Sequence, residues 1–566
     1  MAEGDDEHLD PYPELPRGTS EGVSEAPLAT ASWFDVDELE RQSEIGERFA
    51  HVSGQLWLGR TPTQSALPVG WLDDRHVVTI AGSRAGKGVS AIIPVLCDYP
   101  GSIVCIDPKG ENARRTVKRR GFGSHTPFIE PMHQEVFVLD PYRVSGLDDY
   151  YATFDPLIGL GPHGERTQEE AGLIADALVV PANDKDAHWD DSARSLIEAI
   201  ILHVLSWSQF DGNRTLGKVH KLLRDGDRDE LAEFQEYQKR QGKDVSGPGP
   251  SAFDILLASM KENDAFDGVI SGVAAGLLDM GSRERGSVLS TARRNMKFLD
   301  NPKMQACLRA SDLTLRLEDL KKNPKGVSLF VVLPSRHMKS HARWMRLLLN
   351  LLIARLEADP EPAANEHPVL AICDEFPVLG HMAVLESAVG YMAGFGLKLW
   401  AILQDLSQLK RHYPDSWETF LGNAGTLQVF ANSDQTTLEF VSRRLGEIEV
   451  TRTSRNQSKT TTETLADISD FEKVQKNKQG GAVQRAIGAW DFHHDTVTRS
   501  QSTAEAETET LTIQKTALIT PDELRRIFAR KTGLQIVSLS DERPMILLRS
   551  PYYEDPYFEG KYDPLT

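Results

Sequence analysis

The sequence predicts an α/β protein built on a parallel sheet, carrying a phosphate-binding loop and interrupted by an inserted all-α domain. Three observations predict it. Residues 77–94 read VVTIAGSRAGKGVSAIIP, a β-branched apolar run, a glycine-rich turn with Lys87, then a second apolar segment. Residues 369–375 read VLAICDE, a continuous apolar strand that ends on two carboxylates. Between about 157 and 320 the apolar residues recur at helical spacing, with no convincing strand among them.

The chain has 566 residues, enough for two to four domains, and its 40% hydrophobic and 26% charged content is ordinary for a globular protein. The net charge of −20 argues against a uniformly nucleic-acid-coated surface. Much of that charge is local, because residues 1–50 hold 14 Asp/Glu against 3 Lys/Arg. No apolar stretch approaches the roughly 20 residues that cross a bilayer, and the acidic opening is unlike a signal peptide. The four cysteines, Cys97, Cys105, Cys307 and Cys373, form no C-x-x-C pair. They read as buried thiols of a reducing compartment, with neither disulfide nor zinc.

In chain order, residues 1–50 read as an acidic and largely disordered tail, with a short helix within 33–49. HVSGQLWLGR at 51–60 alternates like an edge strand, and Trp71-Leu72 leads into the strand 77–80. A glycine-rich turn between a strand and a helix start is a phosphate cradle, since its N–H groups converge on the anion and the lysine reaches the terminal phosphates. The pattern G-x-x-x-x-G-K-[ST] is met imperfectly: Ala81 stands at the first glycine and Gly88 at the hydroxyl that would hold Mg²⁺. The predicted cradle is Ala81, Gly82, Ser83, Arg84, Ala85, Gly86, Lys87, Gly88 and Val89.

Ser102–Ile106 is a second buried strand, ending on Asp107 with Lys109 and Gly110 close behind. Ligands of parallel sheets gather at strand carboxyl ends, although an Asp-Pro turn reads the same way by composition. Arg114, Arg115, Lys118, Arg119 and Arg120 form a basic cluster that is either a solvated face or a path for a polyanion, and with Arg293-Arg294 they are the candidate contacts to a phosphate backbone. Glu135–Pro141 is a further strand. In the helical region, Leu196, Ile197, Ile200, Ile201, Val204 and Leu205 share one stripe, and further helices are expected near 217–223, 229–239, 252–261, 269–280 and 286–299.

Strands return at Val327–Leu333, followed by a helix over 341–356 and the strand 369–373. At its end Asp374 is placed to anchor a Mg²⁺ shell and Glu375 to take a proton from an attacking water. The competing reading is an Asp-Glu pair that caps the next helix. Gly396–Gln404 delivers Gln404, which can contact the terminal phosphate or the water, and Gly425–Ala431 is one more strand. Residues 451–513 are rich in Thr, Ser and Gln and are expected as a polar mobile insertion; the pair His493-His494 within it reads as surface decoration. Thr520 and Glu523 have the spacing of a capping box at a helix start, and strands near 534–539 and 544–548 close the chain.

Taken together, the motifs resemble the type IV secretion coupling proteins, the TraG-like conjugative DNA-transfer ATPases. The resemblance is carried by AGSRAGKGVSAIIP at 81–94, SIVCIDPKGE at 102–111 and WDDSARSLIEAIILHVL at 189–205. CDEFPVLG at 373–380, AGFGLKLWAILQDLSQL at 393–409 and SDQTTLEFVSRRLG at 433–446 complete it. It implies a RecA-like P-loop nucleotide-binding domain over 51–156 and 321–555, an all-α domain over 157–320, and homo-hexameric rings that hydrolyse ATP with Mg²⁺. It implies partners too: single- or double-stranded DNA, a relaxase or effector protein, and the type IV secretion machinery. By position Lys87 would bind phosphate, Asp374 the Mg²⁺ shell, Glu375 the catalytic water, and Gln404 would act as sensor.

Two departures stand out. Family members usually begin with transmembrane helices, so their lack here implies a soluble, cytoplasmic form recruited to the inner membrane by a partner. Some relatives carry an arginine just before the Gln404 strand, where this chain reads MAGFGLK; Arg443 or Arg444 would substitute. The competing function is a nucleotide-gated protein-substrate receptor without processive translocation. A translocase of the same superfamily serving phage defence or chromosome partition would share the chemistry.

Overall fold

The computed structural model describes residues 31–41, 43–125, 128–162, 164, 166–180, 187–242, 249–309, 311, 313–467, 474–477 and 497–564. The acidic segment 1–30 and the pair His493-His494 lie outside the described residues. The chain divides into two compact units, one comprising 33–441 and 521–566, the other including 442–520.

The first unit holds an eleven-stranded sheet. In chain order its strands are β1 (Leu56–Arg60), β2 (Pro68–Trp71), β3 (His76–Ala81) and β4 (Ile103–Ile106). A small hairpin, β5 (Ser124–His125) and β6 (Phe128–Ile129), stands apart from the sheet, which continues with β7 (Glu135–Leu139), β8 (Val327–Val331), β9 (Val369–Asp374), β10 (Leu397–Leu403) and β11 (Ala424–Phe430). The ribbon strands β12 (Glu447–Asp467), β13 (Val474–Asn477) and β14 (Val497–Ala517) follow, and β15 (Leu534–Leu539) and β16 (Met545–Leu548) return to the sheet. The spatial order is β2-β1-β16-β15-β11-β3-β10-β9-β4-β8-β7. From β11 to β7 all neighbours are parallel, and β15, β16, β1 and β2 extend the sheet antiparallel.

The parallel strands are the apolar runs of the sequence. β3, β4, β8, β10 and β11 are buried at every residue, as expected of strands covered on both faces. The order places β10 between β3 and β9, and β4 beyond β9. Four carboxyl ends, those of the loop strand, the Gln404 strand, the Asp374 strand and the Asp107 strand, therefore lie side by side along one edge.

Between β7 and β8 the described residues form helices and no strand: Thr167–Leu178, Ala187–Ser206, Leu216–Asp225, Arg228–Arg240, Ala252–Lys261, Val269–Asp279 and Ser282–Met296 are the longer ones. Ala187–Ser206 is the axis of this region. Its expected stripe is buried, and so are Ala199 and Leu202 on the remaining faces, because it packs against the helices 167–178, 216–225, 269–279 and 282–296. Asp155 ties the entry to the region, accepting from the N–H groups of Leu157 (2.9 Å) and Leu216 (3.0 Å). No helix among the described residues is long and apolar enough to cross a membrane. The four cysteines are buried free thiols.

In the second unit, the stretch expected as a polar mobile insertion forms long paired strands where it is described. β12 and β14 pair antiparallel over their full length, from Glu447 opposite Ala517 to Asp467 opposite Val497, and β13 adds to the other edge of β12. Threonine accounts for this, as a β-branched residue that favours extended backbone. In β14 Glu505, Glu507 and Glu509 alternate with Ala504, Ala506 and Thr508, the period of two of a strand. The register sets Lys459 opposite Glu505 and Arg455 opposite Glu509.

Candidate functional site

At the carboxyl end of β3 the chain turns sharply. The Ala85 N–H donates to the Gly82 carbonyl at 3.2 Å, while Arg84 (φ +57°) and Gly86 (φ +92°) take left-handed backbone. Glycine is required at 82 for another reason: a Cβ there would stand 2.3 Å from the carbonyl oxygen of Ala431, at the end of neighbouring β11. From Gly88 the chain is helical, first as a wide π-turn to Ile92 and then as α-helix Ile93–Asp98. Pro94 falls in the first turn of the α-helical part, where its missing N–H is tolerated. The Gly86 carbonyl accepts from both the N–H (3.0 Å) and the hydroxyl (2.9 Å) of Ser90.

Opposite the loop, β9 delivers Asp374 and Glu375. Glu375 has φ +108° and ψ 48°, a conformation that costs a non-glycine residue of order 1–3 kcal/mol and collects at functional sites. Its carboxylate faces Lys87, with Nζ 3.9 Å from Oε1. Gln404, at the end of β10, donates from Nε2 to both carboxylate oxygens at 3.2 and 3.1 Å. The Gln404 backbone is held on both sides: its N–H donates to Gln408 Oε1 at 3.2 Å and its carbonyl accepts from Asn432 Nδ2 at 2.8 Å. Lys87, Glu375 and Gln404 thus form a continuous polar chain above the glycine loop.

Burial raises the carboxyl of Asp374 to about 6, with Glu375 adding repulsion and Lys87 and Lys109 opposing it. Asp107, on the adjacent strand end, is raised to about 7, again mainly by burial and then by the charge of Asp374. One of its oxygens accepts from the Ala113 N–H at 2.9 Å. Two neighbouring carboxyls whose ionisation burial opposes are a donor set suited to a hard divalent cation. At Gly88, which leaves the usual hydroxyl position empty of a side chain, the carboxamide oxygen of Asn112 lies 3.8 Å from where a Cβ would stand. A left-handed glycine turn, a lysine and a carboxylate pair fit a phosphorylated ligand and its metal.

The structure gathers the loop 81–89, Asp374, Glu375 and Gln404 along one edge, as the sequence reading expected. In the basic cluster at 114–120 only Arg120 is a correction, since it lies on neither a solvated face nor an open path; the other four are partly exposed and also bonded to the chain itself. Arg120 is fully buried and donates to Leu96, Tyr99 and Gly101 carbonyls and to Ser328. Arg114 and Arg115 donate to the Val144 and Asp563 carbonyls, Lys118 pairs with Asp563, and Arg119 donates to the Cys97 carbonyl. Likewise Arg293 donates to the Leu223 carbonyl and Arg294 pairs with Asp190. Asn432, Gln408 and Asn112 had no local signal in the sequence, since their roles come from long-range packing.

The profile of the family described as type IV secretory system conjugative DNA transfer matches residues 32–478. Conjugal transfer protein TraG of Escherichia coli is 27% identical over 482 residues, covering 79% of this chain and 69% of its own. Protein VirD4 of Rhizobium radiobacter is 25% identical over 540 residues, or 93% of this chain and 68% of its own. This chain therefore spans about two thirds of each relative. Among solved structures, the bacterial conjugative coupling protein TrwBdeltaN70 in its unbound monoclinic form superposes with a TM-score of 0.57 at 16% identity, covering 94% of this chain and 95% of that one. The plasmid coupling protein TrwB in complex with ADP and Mg²⁺ gives 0.55 at 16% identity, with the same coverage. At that identity the likeness establishes the fold.

Proposed function

The chain belongs to the type IV secretory system conjugative DNA transfer family, and on that premise we propose that it is an ATP-hydrolysing coupling protein that brings DNA or nucleoprotein to a secretion channel. The observation that carries the reading is the Lys87–Glu375–Gln404 chain above the glycine loop. The nucleotide-bound TrwB structures support ATP and Mg²⁺ as the ligands. When bound, the metal supplies charge neutralisation for the transferred phosphoryl group.

In this reading the backbone of 81–89 cradles the phosphates, Lys87 neutralises their terminal charge and Asp374 holds the metal shell. Glu375 orients the attacking water and accepts its proton, and Gln404 keeps that carboxylate aimed and senses the terminal phosphate. Catalysis is then mostly positioning. Residues 51–156 and 321–555 make the RecA-like domain, residues 157–320 an all-α domain that meets the substrate, and six copies close the active ring. A partner recruits the protein to the inner membrane.

The internal engagement of Arg114–Arg120 and Arg293-Arg294 favours a second reading, a nucleotide-gated receptor for protein substrates. Steady-state ATPase rates of the purified protein, alone and with single- or double-stranded DNA, separate the two. Strong stimulation by DNA supports translocation, and turnover indifferent to both DNAs supports the receptor. No turnover under any condition would overturn the hydrolase assignment.

A further inference from the structure

One side chain reaches the phosphate loop from the far end of the chain. Arg549 directly follows β16, and its Nη1 donates to the Ala85 carbonyl at 2.6 Å. Its other donors hold the Arg530 carbonyl (3.2 Å) and, more loosely, the Leu534 carbonyl (3.4 Å). The guanidinium carbon lies 4.6 Å from the ring centroid of Phe430, which ends β11 and is buried against Ala81 and Ala85. Three segments distant in sequence thus seat the fork behind the loop. Burial lowers the guanidinium to about 10, and Arg530, a second cation, lowers it further. Arg549 remains charged at neutral pH.

The geometry gives this contact a consequence. In a planar trans peptide the C=O and N–H point in opposite directions. Anchoring the Ala85 carbonyl on Arg549 turns the Gly86 N–H to the other side of that peptide. The Gly86 carbonyl is anchored in the same manner by the N–H and hydroxyl of Ser90, which turns the Lys87 N–H out of the helix start. Two successive N–H donors are thereby oriented from behind, and the left-handed backbone of Gly86 permits the pairing. Successive N–H groups arranged in this way form an anion-binding concavity.

We propose that Arg549 is a positioning residue for the nucleotide phosphates: it holds the Ala85–Gly86 peptide so that the Gly86 N–H faces the cradle, and it places a positive charge directly behind the loop. The inference rests on the reading that this loop binds a nucleotide. It assigns a role to the chain after the last strand, outside every motif noted in the sequence.

The test is ADP binding by calorimetry on the full chain, for wild type, Arg549→Ala, Arg549→Lys and Lys87→Ala, with ATPase kinetics alongside. Loss of one charge-assisted hydrogen bond predicts an ADP affinity about tenfold weaker in Arg549→Ala, with Arg549→Lys between it and wild type. In turnover the KM for ATP rises while kcat stays within about threefold, since Glu375 and Gln404 are untouched. A merely structural role would lower the folded fraction and leave the affinity of the folded protein unchanged. Folded Arg549→Ala that binds ADP within about twofold of wild type overturns the proposal. Should Arg549→Ala fail to fold, Arg549→Lys carries the test, and wild-type affinity in it overturns the proposal. A wild type that binds no ADP overturns the nucleotide reading and this inference together; normal wild-type binding, lost in Lys87→Ala and unaffected by Arg549→Ala, overturns this inference alone.

Discussion

The two edges of the parallel sheet handle polar groups in opposite ways. At the amino edge several are sealed by the protein. His76, the first residue of β3, reaches the Val389 carbonyl at 2.8 Å and accepts from the Leu399 N–H at 3.2 Å. Lys398, the second of β10, is buried and donates to the Asp73 carbonyl, with burial lowering it to about 8. Ser102 caps the start of β8 through Val327 N–H at 2.9 Å, and Arg120 closes four acceptors. At the carboxyl edge the polar groups converge on one another around the glycine loop: burial raises Asp107 and Asp374, and Lys87 stands 3.9 Å from Glu375. Closed hydrogen-bond networks stabilise a fold, whereas converging titratable groups shifted by burial mark a place where a ligand completes the structure.

The contrast can be broken by substitution. Lys87→Ala should abolish nucleotide turnover while thermal unfolding stays near wild type, because its ammonium serves the cradle and not the core. Arg120→Ala should do the reverse, costing about 3–5 kcal/mol in denaturant unfolding by leaving buried carbonyls unpaired and a cavity, with turnover per folded molecule retained. If Arg120→Ala lost turnover at full stability, the division between the edges would fail.

Asp155 sharpens the comparison through pH. Burial raises its carboxyl from 3.8 to about 7, so the folded protein keeps a proton that the unfolded chain has released. The stability due to that proton is fully present below about pH 4 and is lost as pH rises through about 7. Asp155→Asn keeps an oxygen for the Leu157 and Leu216 N–H groups and should flatten the stability profile between about pH 4 and 7, by up to a few kcal/mol. An unchanged slope in urea titrations at several pH values would contradict this. The smallest effect is expected at Gln404: Gln404→Ala should lower kcat about tenfold, the worth of one hydrogen bond to a charged group, with nucleotide affinity unchanged.

How much of this was legible depended on the kind of burial. β3, β4, β8, β9, β10 and β11 read clearly because strands covered on both faces must be apolar throughout, and the residues that end or follow four of them, Lys87, Asp107, Asp374 and Gln404, then lie along one edge. The ribbon has no apolar periodicity to announce it: its sequence alternates Thr and Ala with Glu, and its pairing runs between distant parts of the chain. Within the basic cluster at 114–120, a count of arginines cannot tell a partly solvated guanidinium from Arg120, which is wrapped in carbonyls. The need for glycine at 82 and the seat of Arg549 depend on Ala431, Phe430 and Ala85 coming together from distant parts of the chain. No local pattern records such a meeting.

The central claim is that Glu375 drives hydrolysis at a site that binds nucleotide without it. It is tested most directly by measuring ATP turnover and ATP affinity of Glu375→Gln beside wild type. The account predicts kcat lower by about 10²–10⁴ with affinity essentially preserved, since the substituted amide keeps the shape of the carboxylate and the loop keeps the phosphates. Wild-type turnover in the variant would contradict it.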